Sequence, residues 1–304
     1  MSDQIYAHPI THPSAWFGRN LANDPSWLVY LDEQDLRDIA EAVRAVRARG
    51  LSLGQVGRGS FPLPNLAPKL ARWLEEIRTG RGFVLVRGLN TADYSDDDVG
   101  LIFWGIGSYL GMPVRQNPQG DLLGHVYDHG RRYGDIDVRG YETNAHLPFH
   151  SDGCDLVGLL CLRRAKSGGL SSIVSSVTLH NEILRLHPEY LPPLYRGFHY
   201  IKREAALTAD PVTQHRVPVF GAKDGTSAHA WSATRSMQPA RRPASRSSRW
   251  SRRRSISSTA LLTTPPSIST WICRSATCSF ATTTRCCIPA PASRTIRSRC
   301  VGAI

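Results

Sequence analysis

The composition of this chain changes abruptly near residue 226, and the change limits which residues can build a folded core. Residues 226–304 contain 13 Arg, no Lys and no acidic residue, and they hold five of the seven Cys. Residues 1–225 contain all 25 acidic side chains and 24 of the 37 basic ones, so they are nearly neutral. The net charge of +12 therefore comes from the tail, and a conventional core is expected before it.

The basic tail has two interpretations when it is taken as it stands. Its arginines could neutralise the phosphates of a nucleic acid, with an affinity that falls steeply as salt rises. A solvated, disordered run is the alternative, and it is favoured because no folded nucleic-acid-binding module accompanies the arginines. The cysteines of the tail also lack the paired Cys-x-x-Cys spacing of a zinc site. The arginines concerned are Arg241, Arg242, Arg246, Arg249, Arg252, Arg253 and Arg254.

Length and hydropathy set the broad class of the protein. A chain of 304 residues suits one large domain or two modest ones. No apolar run approaches the roughly 18 residues of a membrane-spanning helix, and the N-terminus lacks the basic-then-apolar pattern of a signal peptide. We therefore expect a cytoplasmic protein without a membrane partner, and its oligomeric state stays open.

Helical patterns occupy most of the first 110 residues. Asp32 can cap a helix over 33–49, whose apolar residues form one stripe. Pro68 opens a second helix that stops near residue 80, and Ser95 caps a third that stops near residue 110. The aromatic segment 1–31 is expected to be an irregular arm packed on the domain.

Short apolar runs separated by glycine turns predict strands at 83–86, 122–127, 172–177 and 216–220. Thr178 is expected to cap a short helix that ends at Pro188. Short strands after a helical first portion indicate a mainly β, α+β fold, namely a double-stranded β-helix (jelly roll) with helices packed outside it. The predicted parts are an arm with helices at 1–80, the jelly-roll core at 81–225 and the tail at 226–304, which leaves the jelly roll incomplete at its C-terminal end.

The segment 148–162 places an imidazole and a carboxylate two residues apart, just before an apolar run long enough to be a buried strand. Successive side chains of an extended chain alternate faces, so His150 and Asp152 point to the same side and can share one metal ion. With a later His, such a pair forms the facial triad of non-haem Fe(II) oxygenases. The alternative is a hydrogen-bonded His–Asp pair at the end of a strand.

Several motifs, taken in chain order, resemble the Fe(II)/2-oxoglutarate-dependent dioxygenases of the taurine dioxygenase (TauD/TfdA-like) type. Together they are far more specific than the His-x-Asp pattern alone. They are residues 82–89 (Gly-Phe-Val-Leu-Val-Arg-Gly-Leu), 110–114 (Leu-Gly-Met-Pro-Val), 147–152 (Leu-Pro-Phe-His-Ser-Asp), 165–169 (Ala-Lys-Ser-Gly-Gly) and 218–220 (Pro-Val-Phe).

The resemblance implies a double-stranded β-helix with Fe(II) at its open end and 2-oxoglutarate as cosubstrate. It implies that O2 is used to hydroxylate a small molecule, with release of succinate and CO2. His150 and Asp152 correspond to the iron ligands. Ser171 stands where the family has a hydroxyl residue that contacts 2-oxoglutarate, although Leu170 replaces an acidic residue that is frequent there. Many small molecules are substrates in the family, so the substrate is not implied.

Two family elements should follow near the C-terminus, a third iron-binding His and an Arg that pairs with the distal carboxylate of 2-oxoglutarate. Neither is visible in the tail. His215 and His229 are possible substitutes for the His, but a lone His is more often a surface or core residue.

A change of reading frame would explain the missing elements. If each codon begins one base earlier, Cys286 and Cys287 give Leu, and Cys287 with Ile288 gives His or Tyr. The shifted reading of 286–290 is thus compatible with Leu-His-Ser-Arg, and that of 269–273 with His-Leu-Asp-Leu. We therefore predict that the chain leaves its ancestral frame at about 226–232, which makes it a dioxygenase by descent whose activity is impaired. A nucleic-acid-binding protein and a non-catalytic jelly-roll remnant are the alternatives.

Overall fold

The computed structural model describes residues 5–117, 120–132, 138, 142–145, 149–152, 154–163, 170–199, 212–223, 227–230, 268–272, 278–282, 286–287 and 300–301. At residue 170 and from residue 222 onward, the description is limited to the backbone.

Six helices lie in the first two thirds of the chain, among the described residues. The three helices predicted before residue 110 are confirmed, and their ends follow the expected caps. The Asp32 carboxylate accepts hydrogen bonds from the N–H groups of Gln34 and Asp35, and the Ser95 hydroxyl accepts one from Asp98. The helices are α1 (Gly18–Asn23), α2 (Glu33–Ala48), α3 (Ala67–Thr79), α4 (Asp96–Leu110), α5 (Ser176–Leu186) and α6 (Leu191–Arg196).

Eleven strands are described, and seven of them form two sheets. The strands are β1 (Leu28–Tyr30), β2 (Phe83–Arg87), β3 (His125–Val126), β4 (Leu156–Leu160), β5 (Leu170–Ser175), β6 (Phe220–Lys223), β7 (Ser227–Ala230), β8 (Ile268–Ile272), β9 (Cys278–Thr282), β10 (Cys286–Cys287) and β11 (Cys300–Val301). One sheet has the order β1-β2-β9-β4 and the other β10-β5-β8, while β3 pairs with β11 and β6 with β7.

The largest core lies between the helices and the first sheet. Helices α2, α3 and α4 cover one face of β2 and β4, and residues of this core include Ile39, Leu70, Phe103, Val84 and Leu160. Phe83 points the other way and joins Trp16, Leu21 and Ile173 in a small cluster. Because Ile173 belongs to β5, this cluster packs the second sheet and the N-terminal segment (residues 5–27) against the first sheet.

A further apolar cluster, called the arm cluster below, joins the N-terminal segment to the second half of the described core. It draws its members from the N-terminal segment, β5, α5, α6 and β6. The members of the arm cluster are Ile10, Val174, Val177, Ile183, Leu191 and Phe220, with Tyr6, Phe149 and Tyr195 among the half-buried side chains packed against them.

The structure corrects several predicted boundaries. Residues 1–31 are not irregular throughout, since they contain α1 and β1, which runs parallel to β2. The strand predicted over 172–177 ends at Ser175, whose hydroxyl caps α5 by accepting the Thr178 N–H, so Thr178 is not the cap. The strand predicted over 122–127 is reduced to β3. The strand predicted over 216–220 begins at Phe220, after a single bridge between Val217 and Phe198.

Segments of the tail also form strands, which the composition of the tail does not predict. Strand β9 lies between β2 and β4 and is antiparallel to both, with Phe280 opposite Val84 and Gly158. Strand β8 pairs with β5 along five residues. Tail segments thus occupy an inner position of the first sheet and both edges of the second. Within the described part of the chain, no helix is both long and apolar enough to cross a membrane.

Candidate metal site

The two residues of the His-x-Asp pattern lie side by side just ahead of β4. The Nε2 atom of His150 is 4.0 Å from the Oδ1 atom of Asp152. First-row divalent metals bind such atoms at about 2 Å, and two ligands at right angles around an ion are then about 3 Å apart. The spacing in the sequence therefore brings the two side chains near each other, and a small side-chain rotation would let them share one ion.

The neighbouring residues hold this pair in place. Ser151, between the two, is 5% exposed, and Phe149 packs against the arm cluster. The flanking side chains are thus directed into protein, while the Asp152 side chain remains 49% exposed and that of His150 14%. This difference leaves the carboxylate side of the pair open to small molecules.

Cys154 lies close to the pair but differs from it in chemistry. Its thiol donates a hydrogen bond to the Leu156 carbonyl at 3.3 Å. Burial, followed by the negative charges of Asp152 and Asp155, raises the pKa of the Cys154 thiol to about 12. Because the thiolate is the metal-binding form of cysteine, the protonated thiol is a poor ligand at neutral pH.

The third predicted site residue lies on the other sheet. Ser171 is half-buried near the start of β5, with its backbone opposite position 271 of β8. The structure therefore brings His150 and Asp152 together and places Ser171 on the sheet that does not contain β4.

A third metal ligand is not found among the described residues. In that part of the chain, no group of three or more His, Cys, Asp or Glu side chains is arranged to hold a metal ion. His215 is exposed ahead of β6. His229 lies in β7 opposite Gly221, where the backbone alone is described. The arginines of the proposed nucleic-acid-binding run, 241–254, lie outside the described residues.

Phe149 and the N-terminal segment also belong to the surroundings of the site, which the motifs of the sequence do not indicate. The segment reaches the site through the arm cluster, which includes Ile10 and touches Phe149. The signal available in the sequence was the aromatic residue next to His150, but nothing local in the sequence indicates which distant residues it contacts.

A family model and two curated relatives match this chain. The family model described as "Taurine catabolism dioxygenase TauD, TfdA family" matches residues 45–270. The FR-33289 synthase of Streptomyces rubellomurinus is 30% identical over 223 residues, which are 73% of this chain and 66% of that protein. The taurine hydroxylase-like protein SAT17 of Stachybotrys chartarum is 30% identical over 187 residues, 59% of this chain and 49% of that protein. The chain thus spans about two thirds and about half of the length of these relatives.

Solved structures give the fold independently. An asparagine oxygenase in complex with Fe(II), 2S,3S-3-hydroxyasparagine and succinate superposes with a TM-score of 0.64 at 15% identity, over 91% of this chain and 92% of that one. The non-haem iron oxygenase OrfP in complex with Fe and alpha-ketoglutaric acid gives a TM-score of 0.63 at 12% identity, over 91% and 93%. At such low identities these matches establish the shared fold alone, and at that level they support the predicted fold class.

Proposed function

Because the chain belongs to the TauD/TfdA dioxygenase family, as its motifs indicated, we propose that it carries the site of a non-haem Fe(II)/2-oxoglutarate-dependent dioxygenase. The observation that carries the proposal is the 4.0 Å approach of His150 Nε2 to Asp152 Oδ1 just ahead of β4. A His nitrogen and a carboxylate oxygen are two of the three protein ligands that such iron sites use.

Each site residue has a distinct role in this proposal. His150 and Asp152 hold Fe(II), and the Ser171 hydroxyl contacts 2-oxoglutarate. When bound, the iron and 2-oxoglutarate together supply the oxidation of a C–H bond by O2, with succinate and CO2 as coproducts. The half-exposed Asp152 borders the side from which a small molecule enters, while the mostly buried His150 is fixed by its surroundings.

We further propose that the double-stranded β-helix lacks its own C-terminal residues because residues after about 226–232 are read out of frame. The proposal is supported by the absence of acidic residues from 226–304 and by the missing third ligand among the described residues. Strands β8 and β10 also fall on segments whose shifted reading is compatible with family-like sequence. In this proposal the third ligand and the 2-oxoglutarate-binding Arg lie in the other frame.

The test is an anaerobic titration of Fe(II) and 2-oxoglutarate, followed by the charge-transfer absorbance of their complex. The unaltered chain should give no band, and a chain with the frame restored at about 226–232 should give one. His150→Ala in the restored chain should remove the band again. A restored chain without a band, or stop codons throughout the other frame of the gene, would refute the proposal.

A further inference from the structure

The residue that precedes His150 is bound to a distant part of the fold. Phe149 packs against the arm cluster, whose members come from the N-terminal segment, β5, α5, α6 and β6. The cluster is well buried, with Ile183 at 2% and Phe220 at 1% exposure. A side chain anchored there has little freedom to move with a surface loop.

Hydrogen bonds fix the N-terminal segment to β5 and α5, two of the elements that form this cluster. The Ser175 hydroxyl donates to the Ser14 carbonyl, and the Thr178 hydroxyl donates to the Trp16 carbonyl at 2.7 Å. Both hydroxyls are buried, at 0% and 2% exposure. Buried hydrogen bonds of this kind are costly to break, so the cluster is a rigid support.

The direction of the His150 side chain follows from the anchoring of its neighbours. In an extended chain, residues on either side of a position point to the opposite face. Ser151 is buried and Phe149 is held by the arm cluster, so the backbone cannot rotate at His150 without withdrawing one of them. The ring of His150 is therefore left facing Asp152, 4.0 Å away.

We propose that Phe149 is a positioning residue, which fixes the orientation of the His150 imidazole toward Asp152 through its packing on the arm cluster. The inference rests on the proposed function, because the orientation matters when the two side chains share a metal ion. Groups that orient metal ligands typically change metal affinity by about 10- to 100-fold when they are removed.

A purely structural role for Phe149 makes a different prediction. If Phe149 only adds apolar contact, its removal should lower stability without a specific effect on His150. Ile183→Ala is the matched control, since Ile183 is a buried member of the same cluster and lies in α5, far from the His-x-Asp segment in the sequence. Both variants lose apolar contacts, but of the two residues only Phe149 is the neighbour of His150 in the chain.

The experiment measures the His150 ring directly in the full, metal-free chain. Proton–carbon NMR of labelled histidine, with the peak assigned by His150→Gln, should show one sharp His150 signal in the unaltered chain. Phe149→Ala should broaden or split that signal, and Ile183→Ala, which leaves Phe149 in place, should change it less. Phe149→Leu, which keeps most of the apolar volume, should produce a smaller change in the same direction and serves as the test variant if Phe149→Ala does not fold.

Metal binding provides the second measurement. Titration with Co(II) should give a Kd about tenfold higher for Phe149→Ala than for Ile183→Ala. An unchanged His150 signal in the Phe149 variants, or an equal change in Ile183→Ala, would overturn the positioning role. If His150→Gln leaves Co(II) binding unaltered, the proposed metal site is wrong, whereas the NMR comparison still decides whether Phe149 orients the ring.

Discussion

The side-chain amide of Asn181 forms hydrogen bonds with both backbone groups of Ile10. It accepts one from the Ile10 N–H at 2.8 Å and donates one to the Ile10 carbonyl at 2.9 Å. The amide thus makes the two hydrogen bonds that the backbone of a neighbouring strand would make to Ile10. It joins positions that are 171 residues apart in the sequence. This pair connects the N-terminal segment to α5, beside the arm cluster that supports Phe149.

Asn181→Asp should destabilise the protein, because the carboxylate keeps the shape of the amide but cannot donate to the Ile10 carbonyl. The expected loss is about 1–3 kcal/mol in the free energy of unfolding, measured by urea denaturation. Glu182→Gln is the control, since Glu182 forms a solvent-exposed ion pair with Arg185, which should contribute less than about 1 kcal/mol. Equal stabilities of the two variants would contradict a role for Asn181 in holding the segment.

Stability should decrease on acidification because of His180. This residue is fully buried, its Nε2 atom lies 3.0 Å from the Tyr195 hydroxyl, and its ring contacts Tyr6 and Phe220. Burial lowers the pKa of His180 below its ordinary 6.5. The unfolded chain then binds a proton more readily than the folded one, so stability is fully retained above 6.5 and falls as the pH drops below that value.

The His180 effect can be isolated by comparing two variants. His180→Gln removes the titrating group, so its free energy of unfolding should change less between about pH 7.5 and about pH 5.5 than that of the unaltered chain. His187→Gln, at a half-exposed position stacked on Tyr190, should retain the pH dependence. If the His180 variant keeps the full slope, another group is responsible.

The parts of the fold that the sequence predicted are those fixed by nearby residues. Asp32 and Ser95 cap their helices through residues two or three positions away, so these starting points were visible in the sequence. The approach of His150 to Asp152 is likewise a property of alternate positions in an extended chain. By contrast, β1 is three residues long and depends on pairing with β2, which lies more than 50 residues later. The residues near β1 therefore do not predict this strand.

The supports of the site could not be predicted for the same reason. Nothing in the local sequence around Phe149 indicates that it meets a cluster built from residues 10 to 220. The cap of α5 was misplaced because both Ser175 and Thr178 can cap a helix, and the choice depends on where β5 ends. Composition alone also led to the expectation that residues 226–304 lie outside the fold, since it cannot show which segments pair with core strands.

Gly88→Ala should lower stability more than the same replacement at Gly50 or Gly59. Gly88 has a φ of +109°, and a Cβ atom there would lie 3.0 Å from the Leu31 carbonyl oxygen. Leu31 cannot retreat easily, because its N–H donates to the Arg87 carbonyl at 2.8 Å. The expected cost is about 1–3 kcal/mol in the free energy of unfolding.

Two other glycines separate the causes of that cost. Gly50 has a φ of +61°, and a Cβ atom added there would meet no atom of the described residues within 4 Å, so Gly50→Ala tests the backbone conformation alone. Gly59→Ala, with neither constraint, should change stability by less than about 0.5 kcal/mol. If Gly88→Ala is no more harmful than Gly50→Ala, the close approach of Leu31 is unimportant.

Removal of the tail should disrupt the core, because β9 separates β2 from β4 in the first sheet. It has four partners in β2 and five in β4, so a chain that ends at residue 230 leaves two buried strands with unpaired edges. Unpaired backbone groups in a buried sheet are costly, and open strand edges associate with other chains. A chain of residues 1–230 should therefore aggregate, whereas a chain of residues 1–284, which keeps β8 and β9, should not.

Size-exclusion chromatography and cooperative thermal unfolding provide the measurement. If residues 1–230 form a monomer that unfolds cooperatively at the same temperature as the full chain, β9 is dispensable and the composition-based expectation of a tail outside the fold is correct.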